Sequence, residues 1–147
     1  MRIVRRIVHA TDFSAASRPA FRKALEMART SRAQLLIVHV LPVLPLIPDA
    51  YVAATTYDQL LRTQRENAQG QLDRLVRKAK ARGARASAIL IDVGVPAERI
   101  VRLAKARRAD VIVMGTHGRT GFTRALLGSV ATRVIATAGC PVLTVHA

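Results

Sequence analysis

Acidic residues, aromatics and cysteine are all scarce in this sequence, and each shortage narrows what the chain can be. Nine Asp and Glu stand against 24 Lys and Arg, a formal net charge of +15. There is no Trp, and aromatics make up 3% of a chain that is 50% hydrophobic. The core must therefore be aliphatic, built from Ala, Val, Leu and Ile. The single cysteine, Cys140, excludes an internal disulfide framework and fits a reducing, cytoplasmic setting. No apolar run approaches the ~20 residues needed to span a bilayer. The opening MRIVRRIVHATD is basic then apolar, as in a secretory signal. Its apolar run is short and interrupted by arginine, and no convincing cleavage site follows, so a first strand is the better reading. The 147 residues are one domain's worth, 1–147, enough to bury a sizeable core.

A charge of +15 invites a nucleic-acid partner. Two features weigh against it. The basic residues are dispersed over several expected helices, from Arg62, Arg65, Arg74 and Lys78 to Arg99, Arg102 and Lys105. Few aromatics are present to stack bases. Solvated helix faces are the plainer reading.

Along the chain, apolar runs alternate with helical spacing. Residues 3–10 (IVRRIVHA), 33–40 (AQLLIVHV), 87–94 (SAILIDVG), 109–115 (ADVIVMG) and 141–147 (PVLTVHA) read as strands, most of them apolar on both faces. Between them, Ala20, Phe21, Ala24, Leu25 and Ala28 mark a first helix. Its regular part is expected near Ser17, which places Pro19 in the tolerated first turn. LPVLPLIPD, with Pro42, Pro45 and Pro48, is an apolar loop rather than a strand. A second helix is expected from Asp49 to Arg82, with Leu61, Ala68, Leu72, Leu75, Val76 and Ala79 inward and Gly83 as its stop. Pro96 opens a third, and Val130, Val134, Ile135 and Ala138 mark a fourth. Strands and helices in strict alternation imply an α/β fold, a parallel sheet covered on both faces. Such sheets bind ligands beyond the carboxyl ends of their strands, where the winding reverses.

Residues 115–130, GTHGRTGFTRALLGSV, follow the fourth strand at that end and hold four of the eight glycines. Glycine lets bare backbone approach a ligand. Gly128 and Ser129 then begin a helix, whose unpaired N–H groups and dipole favour an anion. The Ser129 hydroxyl adds a donor or a water-mediated metal contact, and Arg119 and Arg124 add positive potential. Leu126 and Leu127 are expected to anchor the returning segment to the core. The stretch is neither a P-loop nor a G-x-G-x-x-G turn. On spacing alone a phosphate cradle and a flexible loop with turn glycines stay open.

The spacing G-x2-G-x9-G-S at Gly115, Gly118, Gly128 and Ser129 resembles the nucleotide-binding signature of the universal stress protein family. The text around it (LLGSVATRVI, CPVLTV), the opening RIVHATDFS and the HVLP after the second strand are similar to that family as well. The resemblance spans the whole chain. It implies a Rossmann-like open parallel sheet of five strands in the order 3-2-1-4-5. It also implies a cytoplasmic regulatory or protective module binding ATP, or a related adenine nucleotide, with Mg²⁺ on the phosphates. By the same resemblance Asp12 lies at the adenosine end and Val40 presents backbone to the adenine. Gly115 and Gly118 approach the ribose and phosphates, and Gly128, Ser129 and Val130 hold phosphate. The last strand, 141–147, is an apolar edge, and family members commonly dimerise through it, which implies a homodimer.

Other residues carry less. Asp12 also suits a helix cap. His117 is read as shaping its loop; His9, His39 and His146, without metal-ligand spacing, as structural; and Cys140 as a small core residue. No carboxylate sits within 115–130 to align an attacking water. A slow ATPase or phosphotransferase is therefore the second function class, and a basic nucleic-acid-associated protein the third.

Overall fold

A computed structural model describes residues 3–44, 54–117 and 126–147. Its elements in chain order are β1 (Arg6–Ala10), α1 (Arg18–Ser31), β2 (Gln34–Val40), α2 (Ala54–Ala81), β3 (Arg85–Ile91), α3 (Pro96–Ala106), β4 (Val111–Gly115), α4 (Ser129–Thr137) and β5 (Val142–Val145). All strands are parallel, in the order β3-β2-β1-β4-β5. The expected topology is therefore observed, with β3 and β5 at the edges and the winding reversing between β1 and β4.

Period-two alternation sorts each central strand onto two cores. On one face Ile7, Leu35, Ile37, Val111 and Val113 pack with Phe21 and Leu25 of α1 and Leu72 and Ala79 of α2. On the other, Val8, Ala10, Val38, Val40, Ile112 and Met114 pack with Ile100 and Ala104 of α3 and Val134 of α4. Burying each large aliphatic side chain contributes about 1.5–3 kcal/mol. Three small alanines, Ala20, Ala24 and Ala28, form a fully buried stripe on α1 and let it lie close to the sheet.

Local chemistry sets the boundaries. A 3-10 turn at Ala15–Ser17 precedes α1, Ser17 is its N-cap, and Pro19 falls in the first turn as expected. Gly83 stops α2 with φ 84°, its N–H donating to the Lys80 carbonyl. Residues 49–53, where α2 was expected to begin, lie outside the described residues. β3 is displaced from the expected 87–94: it starts at Arg85, paired with Gln34, and ends at Ile91. As an edge strand it pairs at an exposed arginine that periodicity discounts, and Asp92 and Gly94 turn the chain into α3.

One expectation fails on burial. Leu126 and Leu127 are 66% and 45% exposed, and so do not anchor the segment before α4. The Gly128 N–H does so instead, donating to the Thr116 carbonyl at 2.6 Å. Cys140 is half-buried against the α3/α4 core, and burial followed by the Asp110 charge pushes its thiol up, disfavouring the nucleophilic thiolate.

Candidate functional site

A cavity of about 340 Å³ opens at the carboxyl ends of β1, β2 and β4, at the point where the winding reverses. Asp12, Val40, Gly115, Gly128, Ser129 and Val130 all line it. Gly118 lies outside the described residues, as do Arg119 and Arg124. Four stretches far apart in sequence, at Asp12, Val40, Gly115 and 128–130, thus meet around one space because three parallel strands end together beside the start of α4.

The turn after β1 forms one wall, and its polar groups lock each other. The Thr11 N–H donates to Val38 O at 2.9 Å, and His39 Nδ1–H donates to Thr11 O at 2.8 Å. Ser17 Oγ donates to Ser14 O at 2.8 Å, so at its 3.1 Å contact with Thr11 the threonine hydroxyl supplies the proton. Thr11 Oγ1 in turn accepts from the Phe13 N–H at 3.0 Å. Asp12 Oδ1 accepts from the Ser14 N–H at 2.9 Å, so Asp12 shapes this turn rather than capping α1. Phe13 takes a left-handed φ of 64°, an unusual conformation for a bulky residue, and its ring lies 4.3 Å from that of His39.

The opposite wall is the start of α4. Gly128 is its N-cap, with an extended backbone (φ −62°, ψ 157°). Its own N–H is spent on Thr116 O, and the first intrahelical bond runs from the Thr132 N–H to Gly128 O. The amides without an intrahelical partner are therefore those of Ser129, Val130 and Ala131. Gly128 contributes close approach rather than a donor, and Ala131, which also lines the cavity, adds one the sequence reading missed. Gly115 is required for closeness: a Cβ there would stand 3.2 Å from the Ala16 carbonyl oxygen and 3.7 Å from Ser17 Cα. Thr116, next in line, ties the cavity to β5, its Oγ1 lying 2.9 Å from His117 Nδ1 and 3.0 Å from His146 Nδ1.

Between the walls the lining is apolar, with Ala10, Val38, Ile100 and Met114 as floor and Pro42 and Pro96 at the sides. Pro42 brings the first proline of the proline-rich loop into the site; Pro45 and Pro48 lie outside the described residues. An apolar slot with a carboxylate at one end and free amides at the other suits a ligand that is flat and weakly polar at one end and anionic at the other. Among the described residues no group of three His, Cys, Asp or Glu side chains can hold a metal ion by itself. The Ser129 hydroxyl suits a water-mediated contact with Mg²⁺ carried in on phosphates and keeping most of its water.

A model of the universal stress protein family matches residues 4–146. The chain belongs to that family. Among curated universal stress proteins, one from Methanocaldococcus jannaschii is 36% identical over 143 residues, covering 97% of this chain and 82% of its own length. One from Thermus aquaticus is 34% identical over 140 residues, covering 95% and 97%. Among solved structures, a universal stress protein from Burkholderia pseudomallei matches with TM-score 0.78 and 30% identity over 100% of this chain and 99% of its own. A universal stress protein in complex with cAMP matches with TM-score 0.72 and 29% identity, covering 99% of each chain. The universal stress protein of Archaeoglobus fulgidus in complex with dAMP matches with TM-score 0.65 and 26% identity, covering 97% and 98%. The universal stress protein sheet and the sequence-derived topology of this chain are the same.

Proposed function

We propose that this universal stress protein is a regulatory nucleotide-binding module that takes ATP, with Mg²⁺ on its phosphates, in the cavity between β1, β2, β4 and α4. The adenine lies on the apolar floor against the backbone at Val40, with Asp12 at the adenosine end. The phosphates meet the amides of Ser129, Val130 and Ala131 and the Ser129 hydroxyl, while Gly115 and Gly118 let backbone come close to the ribose and phosphates. The observation that supports this reading most directly is the convergence of an apolar slot and three open helix-start amides on one space at the switch point. The cAMP and dAMP complexes of two relatives support the adenine. The described lining holds one carboxylate, Asp12, whose Oδ1 accepts from the Ser14 N–H in shaping the turn, and this supports holding the nucleotide over hydrolysing it.

Calorimetry with MgATP on wild type, Gly128→Val and Ser129→Pro tests the reading. Valine can adopt the Gly128 backbone and adds a branched side chain at a position that lines the cavity, so binding should weaken at least ~100-fold. Proline is tolerated at the first helical position and removes one amide and the hydroxyl together, so affinity should fall about tenfold. Circular dichroism should be unchanged in both. Equal affinity in all three proteins refutes the cradle; nucleotide turnover well above background, lost in both variants, would put the enzymatic reading in its place.

The protein acts in the cytoplasm on this reading, and as a homodimer in which β5 covers its twin. β5 is a sheet edge whose Leu143 and Val145 are only partly buried. Sedimentation should give twice the chain mass; a one-chain mass at every concentration removes the dimer.

A further inference from the structure

The other face of the sheet carries a cavity of its own. It measures about 270 Å³ and lies between α1, α2 and the turn after β1. Arg18 and Arg22 of α1 and Arg74 and Lys78 of α2 line it, and no Asp or Glu does. The described ion pairs, Lys23–Glu26 and Arg65–Asp92, involve none of the four. Phe13, Phe21 and Leu75 form an apolar floor, and the Lys78 Nζ stands 5.9 Å from the centre of the Phe21 ring. Ser14 also lines the space, with its Oγ out of solvent and without a hydrogen-bond partner among the described residues.

Four like charges around one small space repel one another, and a multiply charged anion relieves all of the pairs at once. Guanidinium forks match phosphate oxygens two at a time, and a lysine adds a mobile point charge. The start of α1 at this wall contributes the positive end of its dipole. Arg74 Nε donates to the Gly70 carbonyl at 3.3 Å and Lys78 faces the Phe21 ring, contacts that leave the positive charge of the cluster unneutralised. Size decides between classes of anion: the four exposed cations rim an open hollow of about 270 Å³, the dimensions of a small molecule, whereas a nucleic-acid strand needs charge laid out along a track.

We propose that this cavity binds a small polyanion carrying two or more linked phosphate groups, at a site separate from the nucleotide cavity. The two spaces are back to back, with Thr11 and Ser17 lining both. The proposal does not depend on nucleotide binding in the first cavity.

Tripolyphosphate is the probe, titrated calorimetrically into four proteins: wild type, the double variant Arg22→Gln/Lys78→Gln, the cavity-blocking Gly128→Val, and a charge control, Arg102→Gln/Lys105→Gln, on the exposed side of α3. All four side chains replaced by glutamine are on exposed residues, so folding should be retained and is checked by circular dichroism. The α1/α2 pair should weaken binding at least tenfold, and the other two variants should stay within twofold of wild type. Loss confined to Gly128→Val sends the phosphates to the nucleotide cavity and overturns the proposal. Equal loss in the charge control does so too, by showing general attraction to a basic protein. A short oligonucleotide that binds more tightly than tripolyphosphate through Arg22 and Lys78 overturns it in favour of a nucleic-acid face. Within the Gly128→Val background, equal affinity for ATP and tripolyphosphate assigns the site to the phosphate chain alone, and tighter ATP assigns it to a nucleotide tail; both support it.

Discussion

The two faces of the sheet are built on different terms. Under α3 and α4 every buried member of the core is aliphatic or methionine, and the cavity at its end offers main-chain amides. Under α1 and α2 the strands carry His9 and His39, 0% and 5% exposed, at positions where the pleat asks for an apolar residue, and the cavity there offers side-chain charge. His39 has the Thr11 carbonyl and the Phe13 ring. His9 donates from Nδ1 to the Val113 carbonyl at 3.0 Å, but its Nε2 has no partner among the described residues. A polar group can replace an apolar one in a packed interior when its hydrogen bonds are met. Where one remains unmet, the group is held in one protonation state, and the face that contains it inherits a dependence on pH that the other face lacks.

The sharpest way to break that contrast is acid. Burial drives the His9 pKa down from 6.5 to about 4, against the opposing pull of the Val113 bond and the Asp12 charge. The folded protein therefore holds His9 neutral while the unfolded chain protonates it below pH 6.5. The unfolded state binds more protons through that window, so stability is full above pH 6.5 and declines as pH falls toward 4. A shift of this size corresponds to about 3 kcal/mol at pH 4. His9→Leu fills the space without a titrating group. Urea unfolding at pH 7 and pH 4 should show the wild type losing about 3 kcal/mol more than the variant. Parallel losses in the two proteins would mean that the α1/α2 face is no more acid-sensitive than its partner.

The difference between the faces also explains what could be read from the sequence. The sheet was legible because its central strands are apolar at most steps, as burial on both sides demands, and because Pro19, Gly83 and Pro96 fix helix ends by backbone chemistry alone. The lining of the cavity at the switch point was legible at Gly115, Gly128, Ser129 and Val130 through the glycine signature and its continuation, and at Asp12 and Val40 through the wider family resemblance, and the parallel topology brings these stretches together. Ala131 was invisible, since an alanine gives no sign that its amide is open. Thr11, Ser17 and Thr116 were missed for a related reason: each works through a hydrogen bond that only the fold creates. The basic cavity was hidden because Arg18 and Arg22 lie more than fifty residues from Arg74 and Lys78. Charges dispersed along a chain read as solvated faces, but two helices lying side by side on one sheet turned them into a cluster. Leu126 and Leu127 failed in the opposite sense, because an apolar pair next to a helix start predicts burial only if a neighbour is there to cover it.

The smallest effect tests whether the two faces nonetheless fold as one unit. Each has a helix that ends on a left-handed arginine: Arg32 after α1, with φ 54°, and Arg108 after α3, with φ 51°. In both, the following alanine N–H reaches back to a carbonyl of the last turn, Ala33 to Ala28 at 2.9 Å and Ala109 to Ala104 at 2.8 Å. This is the place in a helix end that glycine fills at least cost, as Gly83 does after α2. Both arginine side chains are exposed, so replacing them removes backbone strain without opening a hole in the core. Against relief of about 1–2 kcal/mol stands the greater freedom of glycine in the unfolded chain, about 0.5–1 kcal/mol, leaving a net gain of roughly 0.5 kcal/mol per site. Arg32→Gly and Arg108→Gly should each raise the urea midpoint by a similar small step. The double variant should show their sum in a single transition, since the sites lie on opposite faces and share no partner. Two separated transitions, each moved by only one of the substitutions, would show that the faces come apart independently, and that the sheet between them is less of a shared foundation than its five paired strands suggest.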